Sequence, residues 1–148
     1  MAAGSPWPCD FGPDLSRGFR ALKTWFTIKA YGAEKLGSVI SKTCALAQYL
    51  KQCVETEPAL EMLAPVALNI VCFRYRSEDA DDVNRNIVAD LQESGIVAPS
   101  TTTVNGCLAI RAAIVNHRTN RSDIDTLIQA TIVFGSAHVH RPSRTCSP

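Results

Sequence analysis

Ile96-Val97-Ala98-Pro99-Ser100-Thr101-Thr102-Thr103-Val104-Asn105-Gly106-Cys107-Leu108-Ala109-Ile110-Arg111-Ala112-Ala113-Ile114-Val115 is the stretch on which the fold turns. Asn-Gly is a two-residue hairpin signal, because both residues tolerate the positive φ that a tight turn between twisted strands requires. Residues 96–103 read as the incoming strand, with Pro99 at an edge or a strand start, where its missing N–H does least harm. Residues 108–115 read as the partner strand.

Working outward, residues 69–75 alternate as a strand does. Val71, Phe73 and Tyr75 face one way, Ile70 and Cys72 the other. A shorter strand is expected at residues 60–63. Between the strand pairs, residues 77–82 make an acidic turn. A helix then runs to about Ser94, carrying Val83, Ile87 and Leu91 at steps of four, and Gly95 ends it. After the hairpin, Ser122 or Asp123 caps a last helix with Ile124, Leu127, Ile128 and Ile132 on its face. Past Phe134 the composition turns to Gly, Ser, His, Pro and Arg, and the chain is expected to fray there.

The opening of the chain has a helical period. Residues 1–15 are an extended lead-in rich in Pro, Gly and Asp, and Ser16 is a candidate cap. Phe19, Leu22, Trp25, Phe26 and Ile28 recur at helical spacing until Gly32. A second helix carries Leu36, Val39, Ile40, Cys44, Ala47, Leu50 and Val54 in one stripe, and Pro58 closes it. The expected organisation is a lead-in at 1–15, two helices at 16–57, an α+β unit at 58–134 and a disordered tail at 135–148. In the α+β unit, helices cover one face of a small, mainly antiparallel sheet.

Composition bounds the function. The 148 residues are 46% hydrophobic and 20% charged with a net charge of +1, which suits one soluble globular domain. The weak charge argues against nucleic acid or anionic lipid as a partner. No apolar run approaches the ~20 residues of a membrane span, and the N-terminus lacks the basic and apolar regions of a secretory signal. The 6 cysteines include no Cys-x-x-Cys, and Cys44, Cys53, Cys72 and Cys107 lie in helical or strand patterns as small hydrophobes. A reducing cytoplasm is the expected setting.

Arg111 is the leading candidate for chemistry. It lies within a strand, flanked on its own face by Ala109 and Ala113, and small neighbours leave room for a planar guanidinium to take a carboxylate through two hydrogen bonds. The alternative is an edge-strand arginine in solvent or one paired with an internal carboxylate. His117, in the turn after that strand, is a candidate proton carrier or phosphate contact, or else a surface histidine. Arg17 and Arg20 open the first helix, where cations oppose the helix dipole and favour a partner outside the helix; a solvated face is the alternative. His138 and His140, with Cys146 nearby, lack the paired spacing of a zinc site, so no metal is expected. The 5 lysines, Lys23, Lys29, Lys35, Lys42 and Lys51, all lie in the opening helices at spacings of solvated faces. A Schiff-base lysine needs a dry pocket instead.

The order of these segments resembles one family. Leu15-Ser16-Arg17-Gly18-Phe19-Arg20-Ala21-Leu22-Lys23-Thr24-Trp25 is similar to the segment downstream of the cofactor lysine in group II pyridoxal-dependent decarboxylases. Tyr31-Gly32 and the amphipathic helix after it continue the likeness. Residues 68–75 resemble that family's first small-domain strand, and Leu108 to Arg111 through Asn116-His117-Arg118-Thr119 its closing strand and turn. The resemblance spans residues 8 to 134 and is nearest in wording to bacterial, aromatic-type members.

It implies the small C-terminal domain of a fold-type I, aspartate aminotransferase-like enzyme. The full subunit would be a cytoplasmic homodimeric carboxy-lyase that uses pyridoxal phosphate to decarboxylate an amino acid. Arg111 falls where glutamate-type members place an arginine on the substrate carboxylate, and Arg17 where the family has a boundary or dimer-contact arginine. The histidine-lysine cofactor motif, its aspartate partner and the catalytic-loop tyrosine have no counterpart here. The chain alone is therefore expected to be an inactive fragment that binds the cofactor weakly or not at all. The rival expectation is a freestanding α+β module that binds a small carboxylate or a regulatory partner.

Overall fold

The computed structural model describes residues 19–139. Ser16 and Arg17, the expected cap and boundary arginine, lie outside them. Two units are distinguished, residues 1–38 and 39–148, and each is taken by itself.

The first helix, α1 (Arg20–Thr56), is interrupted at Gly32, whose φ of 76° and ψ of 159° are not helical. Only glycine adopts that conformation without a Cβ penalty, so the sequence break becomes a kink between two helical stretches. In the first unit every residue from 19 to 35 is exposed. Trp25 and Phe26 meet edge to face at 5.1 Å, and Lys29 and Lys35 lie over the Trp25 and Tyr31 rings.

The second unit holds the rest of α1, β1 (Leu60–Met62), β2 (Ile70–Tyr75), α2 (Ala80–Glu93), β3 (Ser100–Val104), β4 (Cys107–Ala113) and α3 (Arg121–Val139). The sheet is antiparallel throughout, in the order β1-β2-β4-β3. Val104 pairs with Cys107 across a turn in which Asn105 and Gly106 have φ of 50° and 83°, as the Asn-Gly signal requires. β3 begins only after Pro99. Gly95 turns the chain at φ 69°, and residues 96–99, read as strand from the sequence, are irregular. Proline without an N–H cannot extend the ladder, so the strand starts at the next residue.

The strands alternate, except that Ala109 and Ile110 of β4 are both buried. Leu60, Val71, Phe73, Ile110 and Ala112 are buried on one face. Leu46, Ala47, Leu50 and Val54 of α1, Val83, Ile87, Val88 and Leu91 of α2, and Ile124, Leu127 and Ile128 of α3 join them in one core. Helices therefore cover one face of an α+β domain. Asn84 is a fully buried polar anchor between the layers: its amide receives from Tyr75 N–H and donates to Tyr75 and Ala80 carbonyls. A buried amide satisfied in this way costs little, and it fixes the helix to the strand end.

Three local readings need correction. Ile40 lies on the expected stripe but is 62% exposed; the packed face begins at Thr43 and Leu46, one turn later. The cap of α3 is Asn120, one residue ahead of Arg121. Its Oδ1 receives from Ser122 N–H, and Asp123 Oδ2 receives from Asn120 N–H, a reciprocal capping arrangement. Finally, α3 continues to Val139 instead of fraying after Phe134. Buried Gly135 lies so close to the Tyr75 ring that a Cβ there would overlap it, and His138 Nε2 is 2.6 Å from Asp90 Oδ2. Tertiary contacts hold the last turn where composition suggested a tail.

Candidate functional site

The face of the sheet away from the helices carries Arg111. Arg111 is in β4, an interior strand between β2 and β3, so it is not an edge-strand residue. Its direct cross-strand partners are Cys72 on β2 and Ser100 on β3. Arg111 is half-buried, and among the described residues no carboxylate pairs with it. Its Nη1 lies 3.5 Å from Ser100 Oγ, and that hydroxyl lies 3.5 Å from the Arg111 carbonyl oxygen. Ala109 beside it is fully buried. A guanidinium carries five donors in a fixed fork, and a single hydroxyl leaves most of them available.

The same face holds an ionic row that the sequence reading missed. Arg74 Nε is 2.5 Å from Glu61 Oε1, and Arg76 Nη1 is 3.2 Å from Glu61 Oε2. The hydrogen bond to Glu61 raises the Arg74 pKa further above its usual value, burial opposing it. The signal was present: Glu61 and Arg74 become direct partners once β1 and β2 pair. Arg74 is thereby committed to structure, whereas Arg111 has no carboxylate partner among the described residues.

The other candidates are dispersed. His117 is exposed in the loop after β4, and its carbonyl receives a 3.5 Å hydrogen bond from Lys42 Nζ. Arg20 opens α1 in the first unit. Arg17 lies outside the described residues. Cys44, Cys53, Cys72 and Cys107 are free and half-buried, and Cys53 packs against the core as a small hydrophobe. Cys72 lies on the Arg111 face because period-2 alternation puts it opposite Val71 and Phe73. His138 pairs with Asp90, and His140 and Cys146 fall outside the described residues. Among the described residues no cluster of His, Cys, Asp or Glu could hold a metal ion. No described helix is long and apolar enough to cross a membrane. A cleft of about 460 Å³ lies between the 96–99 loop, the end of β4 and the start of α3, and Arg111 does not line it.

Against this geometry, residues 9–76 match the family described as "Pyridoxal-dependent decarboxylase conserved domain". The match takes in just under half of the chain, and the relatives found are amino-acid decarboxylases or similar enzymes. The chain is 32% identical over 109 residues to tyrosine decarboxylase 4 of Petroselinum crispum, covering 68% of this chain and 22% of that protein. It is 29% identical over 119 residues to the aromatic-L-amino-acid decarboxylase of Bacillus atrophaeus, covering 76% and 25% respectively. The structure of an Oryza sativa TDC with PLP and tryptamine superposes with a TM-score of 0.77 at 25% identity, over 86% of this chain and 29% of that one. The α+β fold is therefore one found in pyridoxal-phosphate decarboxylases. The chain spans about a fifth of the length of the curated relatives it matches.

The described residues do not fit the covalent anchor of that cofactor. Lys23, Lys29, Lys35 and Lys42 are exposed, and half-buried Lys51 lies 3.7 Å from Glu55. None sits in the dry pocket that a Schiff-base lysine requires. No His-Lys dipeptide occurs in the 148 residues.

Proposed function

We propose that this chain is the substrate-closing, C-terminal small domain of a pyridoxal-phosphate-dependent amino-acid carboxy-lyase of bacterial aromatic type. In this reading the 58–134 unit closes over the site, and the helices at 16–57 connect it to a large domain that holds the cofactor. Arg111 grips the substrate carboxylate. Arg17, Arg20 and His117 serve as interface contacts in a cytoplasmic homodimer, with neither nucleic acid nor membrane as partner. The observation that carries the reading is a half-buried arginine on an interior strand, without a carboxylate partner among the described residues, on the sheet face away from the helices. Two parallel N–H donors from a guanidinium fork match a carboxylate in charge and geometry.

On its own the chain does not decarboxylate, because its lysines offer the cofactor no dry anchor. The test is the DNA upstream of the Met1 codon. The reading expects an in-frame stretch that encodes a histidine-lysine cofactor motif. A stop codon immediately upstream, with no large-domain gene beside it, would remove the enzyme assignment.

One observation favours a second reading, a freestanding module that binds a small carboxylate or a regulatory partner. The unit from residue 39 onward has its own closed core, and among the described residues no buried side-chain nitrogen or oxygen lacks a hydrogen-bond partner. Size-exclusion chromatography separates the two. A module elutes as a single sharp species, whereas a domain lacking its cover self-associates through exposed Phe19, Trp25 and Phe26.

A further inference from the structure

We infer that Ser100 is a positioning residue for Arg111, a statement that rests on the carboxylate-binding reading of that arginine. The two are direct partners across β3 and β4. The Asn105-Gly106 turn fixes this register, because a two-residue loop leaves the strands one way to pair. The Ser100 hydroxyl lies 3.5 Å from two atoms of the same residue: it donates to the Arg111 carbonyl and accepts from Arg111 Nη1. One small side chain thus spans the backbone and the far end of one long side chain. At that length each bond is weak, so the pair biases the guanidinium's position without locking it.

The bias matters because an arginine loses much side-chain entropy when it binds a ligand. Along β4 its same-face neighbours are alanines, which offer no polar atom, and across β2 its partner is Cys72, a weak acceptor. Ser100 is therefore the strong acceptor of the arginine's two direct cross-strand partners. By taking one Nη1 donor it orders the fork and leaves the remaining edge for two oxygens of a carboxylate. A hydroxyl suits this role better than a carboxylate would, since an Asp or Glu at position 100 would neutralise the arginine and compete with the ligand.

The experiment is NMR on the whole 148-residue chain with acetate as the probe and chloride at equal ionic strength as the control. It follows the Arg111 Nε–H signal and the backbone amides of residues 110–112. In the unsubstituted chain acetate should produce a saturable shift that chloride does not. Ser100→Ala should weaken that affinity roughly threefold to tenfold, the worth of one hydrogen bond, and lower the heteronuclear NOE of Arg111 Nε–H. Ser100→Thr, which keeps the hydroxyl, should restore both. Arg111→Lys should abolish the saturable shift. Backbone spectra that overlay those of the unsubstituted chain show that each variant is folded, and an unfolded Ser100→Ala leaves the comparison to Ser100→Val.

An unchanged acetate affinity in folded Ser100→Ala, with Arg111→Lys inactive, overturns the positioning role and leaves the carboxylate reading standing. No saturable shift in the unsubstituted chain, or equal binding by Arg111→Lys, overturns the carboxylate reading and this inference with it.

Discussion

Residues 19–38 and residues 39–139 use similar fractions of apolar side chain to opposite effect. In the first stretch Phe19, Trp25, Phe26 and Tyr31 are each more than half exposed. In the second, Leu50, Phe73, Ile87, Leu91 and Ile110 are fully buried in one cluster. Both stretches show helical or strand periodicity, so periodicity alone does not say whether a face is covered. Burial depends on a second surface being present, and only the later stretch supplies its own. An exposed cluster of aromatic side chains of this size is a surface suited to contact with other protein.

The same substitution at two phenylalanines tests the contrast most directly. Phe73→Ala should cost about 3–5 kcal/mol, because the lost transfer energy is joined by a cavity that the sheet cannot collapse into. Against a net stability of about 5–15 kcal/mol for a typical domain, that shifts the denaturant midpoint far down or unfolds the chain. A small effect would mean that the core of residues 39–139 is not the cooperative unit.

Next in size is Gly135→Ala. A Cβ at 135 meets the Tyr75 ring, so either the ring or the end of α3 must move. Overpacking of this kind costs about 1–3 kcal/mol, and thermal melting should show it. If the melting temperature rises instead, the gain in helix propensity prevails, and the last turn of α3 is not held by that contact.

A smaller effect lies at the α1–α3 contact. The Tyr49 hydroxyl donates to Asp125 Oδ1 at 2.7 Å, Arg121 lies 4.9 Å over the ring, and the Asp125 hydrogen bond, with Cys53 beside it, pushes the Tyr49 pKa from 10.0 up to about 12. The folded form then holds its proton more tightly than the unfolded form. The stabilisation is full below pH 10 and is lost as pH climbs towards about 12. An ultraviolet titration should show a phenol with a midpoint near 12, and Asp125→Asn should lower it. A midpoint that does not respond to Asp125→Asn would mean that this hydrogen bond does not join the helices.

Phe26→Ala completes the comparison with the smallest expected change in stability, within about 0.5 kcal/mol, as for an exposed site. Its visible effect should be weaker self-association by light scattering. A destabilisation as large as that of Phe73→Ala would erase the distinction between the two stretches.

Much of this was legible in the sequence. Asn105-Gly106 specified a hairpin, and Val71 and Phe73 specified the buried face of β2. Val83, Ile87 and Leu91 specified the inner face of α2, and Gly32 a break between helical stretches. Each is a local preference, written in φ tolerance or in a period of 2 or 3.6, and such preferences need no knowledge of distant chain. The family-like segment order was legible in the same way.

Tertiary structure alone decided what met what. The pairing of β2 with β4 joins residues about 40 positions apart and sets Cys72, Arg111 and Ser100 in one row. It made β4 an interior strand and so removed Arg111 from the sheet edge. Packing against Tyr75 and Asp90, which no local pattern announces, carried α3 on to Val139. The physical reason is common to these cases: a residue's period tells which way it points, and the energy of burial or pairing depends on what stands opposite, which only the folded chain brings there.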